Sequence, residues 1–244
     1  MNIKQKLTWA FAIIACLPVV LVATLVVLNL RSDAKDEFVD NSGREIRQVS
    51  NAMQLFFDGI SQNVEYLARQ PLITNSNDSP KTYMNANAAS IPQGEMDKKV
   101  FGFLQDLGNA HPSYAYAILG TAAGGYVSWP DDAKLANYDP RQRPWYKAAQ
   151  AKPGKPFRTE AYYWAENDTS YVSTVRTIDN KLGTNGGVVS IDVSLKQLTE
   201  LVKQIKLGET GYLMLLENSG TVLVDPKQPE HNFKALGSLG EGYA

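Results

Sequence analysis

The sequence predicts an α+β protein. One long N-terminal helix, membrane-spanning at its start, carries an antiparallel-sheet module, and the beginning of a second module follows. Three observations predict this. An uncharged run, "TWAFAIIACLPVVLVATLVVLNL", occupies residues 8–30. Behind it, Ile46, Val49, Met53, Phe56, Ile60, Val64 and Leu67 recur at steps of three and four, which puts one apolar stripe on a helix. From residue 114 onward the chain turns to short alternating or β-branched runs separated by turn residues, the texture of antiparallel strands.

Residues 8–30 are long enough to cross about 30 Å of hydrocarbon as a helix. Lys4 and Lys6 precede the run, and Arg31, Asp33, Lys35, Asp36 and Glu37 follow with mixed sign. The positive-inside bias therefore puts residues 1–7 in the cytoplasm and the rest outside. The run is longer than a signal-peptide core and no small-x-small cleavage site follows it, so an uncleaved anchor is expected. Pro18 is tolerable as a kink in a membrane helix. Residues 31–70 continue as a long helix of about 58 Å, stopped by Pro71. Its stripe has two candidate occupants: the same stripe on a second copy, or the remainder of its own domain.

The polar stretch "TNSNDSPKTYMNANAASIPQGE", residues 74–95, reads as a surface loop. A second amphipathic helix is expected over Met96–Asn109, with Val100, Phe103, Leu104 and Leu107 inward. Strand-like runs follow: "SYAYAIL" and "GYVSWP" around a Gly turn, then "FRTEAYYWA", "TSYVSTVRTI" and "GGVVSIDVSL". "SLKQLTELVKQI" returns to helical spacing, and "GYLMLLE" with "GTVLVDP" forms another hairpin. The two hairpins share a register. In "YAILGTAAGGYVSWP" (116–130) and "YLMLLENSGTVLVDP" (212–226) a Tyr opens the strand, a Gly stands eight positions on and a Pro fourteen positions on. With the helix between them, this points to two copies of one α/β module.

Composition excludes several function classes. The chain has 244 residues, 44% hydrophobic and 20% charged, with net charge −1. That is ordinary for a folded protein, and the lack of a basic excess argues against a nucleic-acid partner. A single cysteine, Cys16, allows neither an intramolecular disulfide nor a cysteine metal cluster. His111 and His231 are far apart and have no nearby Ser or Cys that suggests a triad. No metal, cofactor or enzymatic activity is expected, which speaks against a membrane-tethered hydrolase. A mere stalk would leave the next two features without a use.

The first is "YDPRQRPWYKAA", residues 138–149. Arg143 offers a planar fork of donors that suits a carboxylate. Trp145 and Tyr146 offer apolar walls with polar tips, and Pro144 fixes the backbone between them, which lowers the ordering cost of binding. The same string could instead be a Pro-aromatic turn packed on the sheet. The second is Asp192 in the apolar strand "VVSIDVSL". Burying it is costly without a partner, and Ser194 is the better cap for the helix that follows. Tyr162, Tyr163, Trp164 and Trp129 could form an aromatic wall for a flat heterocycle, or for an amine held by cation–π contact. Trp129 could equally pack beneath the loop at its strand end. Asp131, Asp132, Glu166 and Asp168 read as solvated turn residues.

Taken in order and at this spacing, "YDPRQRPWYKAA", "GGVVSIDVSLKQLTELV" and "LGETGYLMLLENSGTVLVDP" resemble the extracytoplasmic double Cache (dCache) domain of bacterial transmembrane receptors, most often methyl-accepting chemotaxis proteins. The resemblance covers essentially the whole chain. It implies PAS-like sheet modules: a membrane-distal, ligand-binding module over 71–193, a connecting helix over 194–206, and the start of a membrane-proximal module over 207–244. It also implies parts beyond this sequence: the rest of the second module, a second membrane helix, and a cytoplasmic HAMP and signalling region. Through that region cytoplasmic chemotaxis proteins would be partners. A homodimer in the bacterial inner membrane, with its sensor in the periplasm, is the implied setting. A histidine kinase or a cyclic-di-GMP enzyme is the alternative output.

The resemblance further implies a pocket that includes Tyr138, Arg143, Trp145, Tyr146, Tyr162 and Asp192. Arg143 and Trp145 would grip a carboxylate; Asp192, assisted by Tyr138, would receive an ammonium. The implied ligand is an amino acid or a related amine or carboxylate, with a purine or polyamine as the alternative. One position departs from the amino-acid-binding pattern. Two residues after the Tyr matched by Tyr162, those members carry a second Asp, and here Trp164 stands there. The carboxylate grip is intact; the ammonium grip has lost one anion.

Overall fold

A computed structural model describes residues 2–76, 80–87, 93–131, 135–164, 168–179, 185–205, 211–240 and 242. The chain divides into two units, Met1–Ala52 and Met53–Ala244. Helix α1, Ile3–Arg69, contributes to both.

In the first unit Leu17, Val20, Leu25 and Leu28 are all exposed. The helix contains an apolar window of mean hydropathy 2.2, none of it buried, so it is long and apolar enough to cross a membrane. The Thr24 hydroxyl donates to the Val20 carbonyl at 2.7 Å, which satisfies a polar group that would be costly in hydrocarbon.

In the second unit the apolar stripe is covered. Ile60, Val64, Leu67 and Ala68 are buried, with Met53 and Phe56 packed against the same core. Of the two candidate occupants, the stretch from Met53 to Leu67 has its own domain. An ion pair between Glu65 and Arg176, 2.6 Å apart, fixes α1 on the sheet. Arg158 lies over the Phe57 ring, 4.4 Å from its centroid. A short helix α2, Pro71–Thr74, follows.

Strand β1, Tyr83–Asn87, falls in the stretch that reads as a loop. Its composition, "YMNAN", has no apolar alternation; it is a strand because it pairs antiparallel with β4, Ala136–Tyr138. Residues 77–79 and 88–92 of the same stretch lie outside the described residues. Helix α3, Glu95–Ala110, begins where the Asp97 carboxylate accepts the Gly94 N–H at 2.9 Å and buries Val100 and Leu104.

The main sheet contains β2 (Tyr116–Thr121), β3 (Tyr126–Trp129), β5 (Phe157–Arg158), β6 (Tyr162–Trp164), β7 (Thr169–Asp179) and β8 (Asn185–Ser194). Its order is β3-β2-β8-β7-β5, with β6 also on β7, and every pairing is antiparallel. Side chains alternate between its faces. Ala117, Leu119, Val127, Val172, Val189, Ile191 and Val193 share one core with α1 and α3. Ile118, Tyr126, Tyr171, Val175 and Val188 build a second core with Trp145, Tyr146 and Ala149 of α4, Pro144–Ala151. The candidate site belongs to this second face.

Helix α5, Leu195–Lys203, starts at Ser194, whose hydroxyl accepts the Gln197 N–H at 3.2 Å. Strands β9 (Leu215–Leu216) and β10 (Val222–Val224) form the later hairpin. The two hairpins turn alike. Gly124 and Gly220 both take positive φ, 90° and 82°, a conformation glycine adopts without a side-chain penalty. Gly124 N–H bonds to Thr121 O at 3.0 Å, and Gly220 N–H to Glu217 O at 2.9 Å. The register read from the sequence is thus a repeat of turn geometry.

Candidate functional site

The site is assembled by one helix start and three strands. Before α4, Asp139 spends itself on Arg141, accepting from its backbone N–H at 3.0 Å and from two guanidinium nitrogens at 2.9 Å each. That ion pair holds the Asp139 carboxyl below its ordinary range. Arg141 is therefore a structural residue, and Arg143 remains uncommitted. Pro144 opens α4 with Arg143 as its extended N-cap, φ −80° and ψ 150°. Proline suits the first helical position because no N–H is needed there.

The Arg143 guanidinium carbon lies 4.4 Å from the centroid of the Trp164 ring and 5.4 Å from that of Tyr138. Its Nε is buried without a hydrogen-bond partner, as is the indole N–H of Trp164. Among the described residues no carboxylate pairs with Arg143. Both donors therefore have no acceptor among the described residues.

Asp192 is the second charged group of the site. It is 2% exposed and sits on β8 opposite Tyr116 of β2 and Ser173 of β7. Ser190 donates to its Oδ1 at 2.5 Å, and Tyr162 donates to its Oδ2 at 3.2 Å. The Tyr162 oxygen is also 2.9 Å from Ser173 Oγ. Burial pushes the Asp192 carboxyl up to about 6; the Ser173, Ser190 and Tyr162 hydroxyls oppose this only in part. Burial and the Asp192 charge raise the Tyr162 hydroxyl well above its ordinary value, so it stays a neutral donor. Burial does the same to Tyr138.

Tyr116, Ile118, Tyr126, Trp164, Tyr171 and Asp192 line a partly open cavity. Tyr138 backs this wall, its ring 4.7 Å from Tyr126 and 5.7 Å from Trp164. The structure thus brings together Tyr138, Arg143, Tyr162, Trp164 and Asp192. Trp145 and Tyr146 belong to the same core but lie against β2: a Cβ on Gly120 would fall 2.7 Å from the Trp145 ring, and the Tyr146 hydroxyl reaches Thr121 O at 3.5 Å.

Two members of the expected aromatic wall lie elsewhere. Trp129 is on the opposite face of the sheet, in the core shared with α1 and α3, where its ring lies so close to Gly108 that a Cβ there would meet it at 2.0 Å. The reason is parity: Tyr126 and Ser128 share one face of β3, and Trp129 takes the other. Tyr163 alternates outward, exposed, and donates to Asp168 at 2.7 Å. Asp131 is exposed; Asp132 and Glu166 lie outside the described residues. Tyr116, Tyr126, Tyr171, Ser173 and Ser190 are additions to the expected set. The alternation that puts Asp192 inward also puts Ser190 inward, a signal present in the strand itself. The others need the register between β2, β8 and β7. Among the described residues no cluster of three or more His, Cys, Asp or Glu side chains could hold a metal.

Comparison with known proteins gives this geometry a family. The chain is 34% identical over 123 residues to the methyl-accepting chemotaxis protein McpA of Pseudomonas putida, covering 49% of this chain and 19% of that protein. It is 37% identical over 102 residues to McpB of Bacillus subtilis, covering 42% and 15%. The chain thus spans less than a quarter of the length of these relatives. Among solved structures, the ligand-binding domain of the Pseudomonas fluorescens chemoreceptor CtaA in complex with L-alanine superposes with TM-score 0.63 at 25% identity, covering 82% of this chain and 77% of that one. The model of the Cache domain family dCache_1 matches residues 30–241, and the chain belongs to that family.

Proposed function

We propose that the chain is the sensing part of a transmembrane chemoreceptor and binds a small zwitterion in the cavity beside Asp192. One observation carries this reading. Among the described residues Arg143 and Asp192 are opposite charges without an ionic partner, and Trp164 links them: it stacks with Arg143 and lines, with Asp192, a cleft whose remaining walls are three tyrosines and Ile118. The guanidinium edge of Arg143 takes the ligand carboxylate, and Asp192 takes its ammonium. Tyr162 and Ser190 orient the Asp192 carboxylate, Trp164 and Tyr138 hold the Arg143 plane, and Trp145 and Tyr146 form the supporting layer. The L-alanine complex of CtaA supports a zwitterion as the ligand class.

In this reading the apolar start of α1 anchors the chain in the inner membrane, and residues 71–193 form a periplasmic, membrane-distal binding module. Helix α5 connects it to a membrane-proximal module. Output passes to cytoplasmic chemotaxis proteins through a homodimeric receptor. A ligand shifts such a receptor only by its difference in affinity for two states, with helix displacements on the order of 1–2 Å. The test is a thermal-shift screen of zwitterions. A ligand at a hundredfold excess over its Kd should stabilise the domain by about 2.7 kcal/mol. No shift with any amino acid, amine, carboxylate or purine would overturn the reading.

A further inference from the structure

We infer that the ligand's nitrogen is N-alkylated: a betaine or an N-methylated amino acid rather than one with a primary ammonium. This rests on the sensor reading above and deepens it. A primary ammonium buried away from water brings three N–H donors, and each one left without an acceptor costs free energy. Asp192 is the one charged acceptor lining the cavity, and each of its oxygens already takes one hydrogen bond, Oδ1 from Ser190 and Oδ2 from Tyr162, which leaves one lone pair on each. The remaining walls are Tyr116, Ile118, Tyr126, Trp164 and Tyr171. An indole N–H donates and does not accept, so Trp164 adds no acceptor, and the tyrosine hydroxyls add only neutral ones.

The same walls suit a methylated cation. An ammonium whose hydrogens are replaced by methyl groups makes few or no hydrogen-bond demands, and it spreads its charge over carbons that aromatic surfaces attract. Indole is the strongest such surface, and Trp164 combines two contacts: its ring takes the Arg143 guanidinium at 4.4 Å and also borders the cavity. Asp192 then acts as a counter-charge at the base of an aromatic cage, a role that needs no free lone pair. Arg143, stacked on Trp164 behind this wall, supplies the positive charge that a zwitterion's carboxylate needs.

The test is calorimetric titration of the full chain in nanodiscs with glycine, N-methylglycine, N,N-dimethylglycine and glycine betaine, with L-alanine as a primary-ammonium reference. Affinity should rise along the series, with glycine betaine roughly tenfold tighter than glycine. Trp164→Phe should keep the order, because an aromatic face remains. Trp164→Asp should reverse it by restoring an acceptor. The wild-type series stands by itself if the Asp variant fails to fold. A flat or descending wild-type series, or L-alanine tighter than every N-methylated member, would overturn the N-alkyl inference and leave the sensor reading intact. No heat with any of the five would overturn the inference, and together with no shift in the broader ligand screen it would sink the sensor reading as well.

Discussion

The Arg143 guanidinium carbon sits 4.4 Å from the centroid of the Trp164 ring, joining the start of α4 to β6. A stacked guanidinium keeps its charge and its in-plane donors while its face is covered. The contact therefore positions Arg143 without consuming what it would use to hold a carboxylate.

Arg143→Ala should weaken any carboxylate-bearing ligand by about 2–5 kcal/mol, roughly 30- to several thousand-fold. Arg143→Lys should recover only part of this, because an ammonium lacks the planar fork. Calorimetry on both variants checks the pair. Wild-type affinity in the Ala variant would remove Arg143 from the site.

Asp192 gives a pH signature. Its folded pKa, about 6, lies above the ordinary 3.8, so the folded state favours the protonated form. The associated stability is present below about pH 4 and is lost as pH rises through about 6. The gap corresponds to roughly 3 kcal/mol. Asp192→Asn carries no charge and should raise the unfolding free energy at pH 8 by about 1–3 kcal/mol, with the advantage shrinking toward zero at pH 4. It should also weaken ammonium binding. In wild type, affinity for such ligands should fall as pH drops through about 6. Urea titrations of both proteins at the two pH values decide it; an Asn variant less stable than wild type at pH 8 would contradict the cause given for the raised pKa.

Trp129 serves as the control. Gly108→Ala would push a methyl into its ring, since the Cβ would lie 2.0 Å away, and should cost about 1–3 kcal/mol of stability. Neither this change nor Trp129→Ala should alter ligand affinity by more than about twofold, as expected of sites that share no partners. A large affinity loss in Trp129→Ala would put it back in the binding wall.

Glu217, in the turn between β9 and β10, accepts the Ala161 N–H at 2.9 Å, immediately before Tyr162. Glu217→Ala should cost about 1–2 kcal/mol and speed hydrogen exchange at the Ala161 amide. Unchanged protection of that amide would show that the contact contributes nothing to holding β6.

Much of this was legible in the sequence, for identifiable reasons. The hairpin register was, because Gly124 and Gly220 occupy a backbone region that few other residues enter. The long helix was, because its stripe runs unbroken from Ile46 to Leu67, although periodicity alone could not say what covers it. Asp192 stood out because a carboxylate in an apolar strand demands an explanation. Strand β1 was hidden because its only qualification is a backbone partner, β4, some fifty residues away. Tyr116 and Tyr171 were hidden because they become neighbours of Asp192 only through pairings between strands far apart in the chain. Trp129 shows the other side: a one-residue difference in parity decides which face a strand residue serves.

The most direct measurement is a structure determined with a bound zwitterion, using the tightest member of the titration series. The expected result has the carboxylate within about 3 Å of the Arg143 guanidinium and the nitrogen against Asp192, inside the ring of Tyr116, Tyr126, Trp164 and Tyr171. A ligand bound elsewhere, or one inside the cavity that leaves Arg143 stacked and uncontacted while Asp192 faces its carboxylate, would contradict the proposed site.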